Sequence, residues 1–211
     1  MLGIYYQHEV EYLIIIVASF KGGQGKSTTA VHLAGWFQQH ASTLLVDGDP
    51  NRSATGWAKR KGLLFQVCDE RQAGRVVHEY QHIVIDTQAR PSKVDLVALC
   101  KGCDLLVIPT TPDALSLEAL FLMTSQLADA RYRVLLTIVP PKPSRDVEEA
   151  RAMLEHAKVP VFAASIHRAV AFQKAALQGV LVRDVADPRA GLCWRNYTRV
   201  GKEICRSLMG S

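Results

Sequence analysis

Residues 13–29 read Leu-Ile-Ile-Ile-Val-Ala-Ser-Phe-Lys-Gly-Gly-Gln-Gly-Lys-Ser-Thr-Thr. An apolar run, a glycine-rich turn, Gly25-Lys26-Ser27 and then a helical pattern make the arrangement of a phosphate-binding P-loop. Gly22, Gly23 and Gly25 let successive backbone N–H groups wrap an anion without Cβ clashes. The helix that follows points its positive dipole end at the phosphates. Lys26 brings a full charge to the β- and γ-phosphates, and the Ser27 hydroxyl is a hard ligand for Mg²⁺. Gln24 and Thr28 complete the candidate nucleotide-binding set, and the expected cofactors are ATP or ADP with Mg²⁺. A usual P-loop reads G-x-x-x-x-G-K-[ST]; this loop carries a second lysine, Lys21, five residues before Lys26.

Two later segments end in acids. Thr43-Leu-Leu-Val-Asp47-Gly-Asp49-Pro50 is an apolar strand closing on two carboxylates, and His82-Ile-Val-Ile-Asp86-Thr87 closes on one. Acids at the C-terminal ends of parallel strands face the crevice where ligands bind. In that position Asp86 can hold Mg²⁺ through water. Asp49 is the candidate for orienting and polarising an attacking water, with Asp47 supporting the metal or that water.

Lys-Gly-Gly-x-Gly-Lys-Ser-Thr resembles the deviant Walker A motif of the ParA/MinD class of P-loop ATPases. Asp47-Gly-Asp49-Pro50 resembles the second motif of that class, and the strand ending at Asp86 resembles Walker B. The resemblance covers residues 12 to 208 and is nearest to small ParA-type members without an N-terminal DNA-binding domain. It implies that Lys21 is the signature lysine, crossing the interface of an ATP-bound homodimer to the other subunit's phosphates. It also implies non-specific DNA binding, a ParB-like or cargo-adaptor partner that stimulates hydrolysis, slow basal turnover, and a cytoplasmic, nucleoid-associated life. In relatives the sheet rim around Pro140 supplies the adenine pocket, so Pro140 is a candidate base contact. Asn51 and Gln88-Ala89 depart from the usual Gln and Pro of the class.

Apolar runs at 12–19, 43–47, 82–86, 104–109, 133–139 and 160–164 read as strands. Helical stretches fall at 26–40, 52–61, 91–101, 114–130, 145–157, 167–179 and 188–208. Continuous apolar strands alternating with helices predict an α/β, doubly wound, mainly parallel sheet covered on both faces. Leu63–Val67 reads as a short strand followed by a polar stretch. The division is an N-terminal extension, 1–11, and a single ATPase domain, 12–211. At 211 residues with 48% hydrophobic and 21% charged content, the composition is that of a globular domain. No apolar run approaches the roughly 18 residues of a membrane span.

The net charge is +5 and the pI about 9.0. Arg195, Arg199, Lys202 and Arg206 share one helix face, with Trp194, Tyr197, Ile204 and Leu208 on the other. Such a strip is either an ordinary solvated face or a surface that tracks DNA phosphates without reading bases. The alternative readings are a MinD-like membrane-associated ATPase, a dimeric metabolic P-loop enzyme, and an iron–sulfur protein using Cys100 and Cys103. Against the last, the apolar residues preceding Cys100 make it read as a small buried hydrophobe.

Overall fold

The computed structural model describes residues 12–60, 62–127, 130–141 and 144–209. The expected extension at 1–11 lies outside the described residues. Six strands, β1 (Leu13–Val17), β2 (Thr43–Asp47), β3 (Gln66–Asp69), β4 (His82–Asp86), β5 (Leu105–Thr110) and β6 (Tyr132–Leu136), form one parallel sheet in the order β3-β2-β4-β1-β5-β6. In register, Val17 lies beside Asp86 and Val107, and Asp47 beside Asp86. The C-terminal ends of β1, β2 and β4 therefore sit level, and the loop leaving β1 opens where the chain changes direction across the sheet, the place where such folds bind ligands.

Alternate strand residues feed two cores. On one face Ile15, Val17, Leu45, Val84 and Val107 pack under α1 (Lys26–Phe37), α2 (Ser53–Ala58), α7 (Val170–Gln178) and α8 (Ala190–Met209). On the other, Ile16, Leu106, Ile108 and Val134 pack under α4 (Lys93–Lys101), α5 (Ala114–Thr124) and α6 (Arg145–His156). A third, smaller cluster of Leu44, Val46, Cys68 and Ile83 takes the partly buried Ala73 and Val76 of α3 (Glu70–Val76). Burial on both faces explains why the strands are continuous apolar runs.

The expected strand at 160–164 is not formed. That stretch makes one isolated bridge to the edge, Val161 with Val134, and a second bridge beyond it joins His167 to Val139. The Pro160 carbonyl and the Phe162 N–H bond Val134, but side chains take the backbone groups that follow. Arg151 donates to the carbonyls of Phe162 and Ala163, and Glu203 accepts from the N–H groups of Ala163 and Ala164. The strand expected at 63–67 lies at Gln66–Asp69, and the polar stretch after it folds into α3, capped by Asp69 accepting from the Gln72 N–H. The helix expected to reach residue 130 stops at Thr124; the hydroxyls of Thr124 and Ser125 donate to carbonyls three residues back.

His32 ties α1 to the C-terminal helices. It is fully buried and stacks on Tyr197 at 4.8 Å. The Val182 N–H donates to its Nε2, so Nδ1 carries the proton given to the Thr28 carbonyl, and the ring is neutral. Burial lowers its pKa from 6.5 to about 4. Stability from this group is complete above pH 6.5 and falls with pH down to about 4, by up to about 1.4 kcal/mol per pH unit. Denaturant unfolding at pH 7 and pH 5 should therefore show the wild type losing about 2 kcal/mol more than His32→Gln. Equal losses would contradict a buried neutral imidazole.

Candidate active site

The loop between β1 and α1 has Gly23 and Gly25 at φ 80° and 77°, backbone that glycine adopts without strain. Gly25 is the N-cap of α1 and supplies no capping side chain, and the first turn holds no acid. By contrast Ser92 caps α4 and Asp113 caps α5 with side-chain bonds. An uncapped helix start with its dipole uncompensated is suited to an anion.

Lys26 is buried and its Nζ donates to Asp49 Oδ2 and Asp86 Oδ1, both at 2.8 Å. Asp47, Asp49 and Asp86 are also buried. Burial pushes the Asp86 carboxyl up, opposed by Lys26. Burial pushes Asp49 up as well, but hydrogen bonds from Lys26 and Asn51 prevail and hold it below the usual range. Asp47 has a different task. Its Oδ1 accepts from the Asp49 N–H at 3.2 Å, and its Oδ2 accepts from the N–H and hydroxyl of Thr55 at 2.7 Å. It braces the turn that presents Asp49. Arg52, with φ 52°, reaches back to the Asp47 carbonyl and to Glu70.

Asp86 Oδ2 is buried without a hydrogen-bond partner among the described residues. A buried orphan oxygen is expensive unless something else engages it. Asp86 Oδ2 and the hydroxyl of the half-buried Ser27, on the first turn of α1, are oxygens of the hard kind that Mg²⁺ takes.

Lys21 stands at the edge of the loop, with its side chain 38% exposed. Its Nζ reaches Asp113 Oδ1 at 3.4 Å and Ser116 Oγ at 3.3 Å. Burial raises the Asp113 pKa, but bonds from Thr111, Ser116 and Lys21 outweigh it and hold the carboxyl at about 2. Gln24 spends its side chain on the scaffold: Oε1 accepts from the Thr111 N–H and hydroxyl, and Nε2 donates to Ser116. Thr137, after β6, donates to the Gln24 carbonyl at 2.8 Å and brings the Pro140 loop beside the P-loop. Asp113, Ser116, Thr111 and Thr137 were not singled out in the sequence. Asp113 was legible only as a helix cap, because Lys21 lies 92 residues away.

Arg195, Arg199, Lys202 and Arg206 are all exposed on α8, far along the chain from the phosphate loop, while Cys193, Tyr197, Val200 and Ile204 are buried beneath them. Cys100 and Cys103 pack against the second core, and burial, followed by Cys100 and Asp104, pushes the Cys103 thiol up to about 12.

Residues 15–182 match the CobQ/CobB/MinD/ParA nucleotide binding domain. The chain belongs to the ParA/MinD family. Among relatives, the protein is 34% identical over 203 residues to the maintenance of carboxysome distribution protein A of Gloeobacter kilaueensis, covering 92% of this chain and 94% of that one. Two solved structures share the ParA/MinD fold. An ATP complex of Cyanothece McdA superposes with a TM-score of 0.69 at 16% identity, over 95% of this chain and 97% of the other. The septum site-determining protein MinD of Pyrococcus horikoshii, complexed with Mg-ADP, gives 0.66 at 17% identity, over 92% and 96%.

Proposed function

We propose that this protein is a ParA-type positioning ATPase. ATP with Mg²⁺ occupies the P-loop, two subunits close face to face, and each Lys21 reaches the other's phosphates. The closed dimer binds nucleoid DNA through α8, and an adaptor on the cargo stimulates hydrolysis. The relative named for carboxysome distribution favours a protein assembly as cargo over a plasmid. Asp86 and Ser27 hold the metal, which neutralises phosphate charge when bound. Asp49 orients the attacking water, Asp47 keeps Asp49 in place, and Pro140 lies against the base.

The observation that carries this reading is the pair of lysines in one loop with contrasting environments. Lys26 is buried on the acids of its own subunit, whereas Lys21 is partly exposed and joined to Asp113 by a half-exposed ion pair. Exposed pairs contribute only about 0–1 kcal/mol, so a partner subunit's phosphates can displace Asp113. Lys21→Ala is therefore expected to leave ATP affinity little changed while removing the ATP-dependent dimer. Light scattering with ATP and with ADP checks this. A dimer that persists in Lys21→Ala would contradict the cross-subunit role.

A further inference from the structure

Around the C-terminal rim of the sheet, Lys21, Lys26 and Arg52 each have acidic partners. Arg90 does not. It is exposed, and its guanidinium has no ion-pair or hydrogen-bond partner among the described residues. We propose that Arg90 is a catalytic residue that contacts the γ-phosphoryl oxygens of bound ATP and neutralises their charge as the bond to ADP breaks; this rests on the ATPase reading above.

The loop that carries Arg90 is built against the phosphate loop. It begins at Asp86. The Thr87 N–H and hydroxyl donate to the Val17 carbonyl at 3.2 and 3.1 Å, and the Arg90 N–H donates to the Ser19 carbonyl at 2.9 Å. Arg90 is thus stitched to the segment that runs into Lys21. Its backbone is left-handed, φ 58°, and it precedes the buried Pro91, which restricts it further. Glycine would take this conformation without steric strain. An arginine there is kept only because the surrounding bonds impose it, and strain of this kind gathers at functional sites.

The charges call for another cation. Lys26 is shared by Asp49 and Asp86, Lys21 is paired with Asp113, and a triphosphate adds more negative charge than one Mg²⁺ removes. In the transfer, the water oxygen bonds to the γ-phosphorus. The bond from phosphorus to the β–γ bridging oxygen breaks with its electron pair staying on ADP, and the water's proton leaves past Asp49 to solvent. Charge is then spread over the equatorial oxygens. A planar, permanently charged guanidinium can pair with two of them at once.

The test uses full-length Arg90→Ala, Arg90→Gly and Arg90→Lys, with single-turnover phosphate release from ATP, fluorescent ADP titration and thermal unfolding. The alanine and glycine variants should turn over about 100-fold more slowly, the scale of losing one transition-state donor. ADP affinity should stay near wild type, lysine should recover part of the rate, and glycine should melt no lower than wild type. A glycine variant with wild-type turnover overturns the role. So does a loss of rate matched by equal losses of ADP affinity and melting temperature in all three. No hydrolysis by a wild type that binds ATP would overturn the ATPase reading, and this role with it.

Discussion

Lys26→Ala is expected to lower ATP affinity about 100-fold, the scale of losing a charge-assisted bond, and to destabilise the free protein by about 3 kcal/mol. Both effects come from one geometry. Lys26 Nζ bonds two buried carboxylates, Asp49 and Asp86, at 2.8 Å each. Removing the ammonium leaves both acids buried without a cation, with Asp47 nearby. The acids can escape by taking up protons, so the stability difference from wild type should shrink as pH falls from 7 to 5. Lys26→Arg should recover little, because a planar fork does not replace a compact ammonium between two acids. Denaturant unfolding at both pH values and titration with a fluorescent ATP analogue measure the two effects. A variant as stable as wild type at pH 7 would mean that water reaches these acids. In the proposed cycle the lysine exchanges carboxylates for phosphates, which frees Asp49 for water and Asp86 for the metal.

The parts of this site legible in the sequence are those whose chemistry is local. A phosphate loop needs its glycines, lysine and serine in consecutive order, so Gly22 to Ser27 can be read without knowing the fold. Asp47, Asp49 and Asp86 were legible because parallel strands deliver their C-terminal residues to one rim. What was not legible depends on distant partners. The stretch 160–164 has the composition of a strand and begins a ladder with Val134, but Arg151 and Glu203 take the Phe162 carbonyl and the Ala164 N–H that would extend it. Helix α3 buries no residue of its own, so it shows little apolar periodicity; the Asp69 cap was its remaining signal. The second task of Asp47, bracing Thr55 and the Asp49 N–H, likewise follows from the turn and not from the motif.

Reversing Arg195 and Arg199 together to glutamate should weaken ATP-dependent binding to a non-specific duplex at least about 1,000-fold at low salt, while leaving ATP hydrolysis intact. Each phosphate neutralised contributes about 0.9 to the slope of log affinity against log salt, so a dimer that loses four contacts should bind with a slope shallower by about 3 to 4. The helix tolerates the change. Both side chains are exposed, and α8 is anchored by Tyr197, Val200 and Ile204, each at most 1% exposed. The Tyr197 hydroxyl pairs with Thr29 on α1, so the basic face is tied to the helix that follows the glycine-rich loop. Net charge alone would predict a similar loss from a reversal elsewhere. Arg145→Glu separates the two explanations: Arg145 is 88% exposed on α6, which covers the opposite face of the sheet from α8. If the α8 surface tracks DNA, Arg145→Glu binds as wild type and Arg199→Glu does not. Equal losses from the two would show that affinity follows total charge, and α8 would then be an ordinary solvated helix.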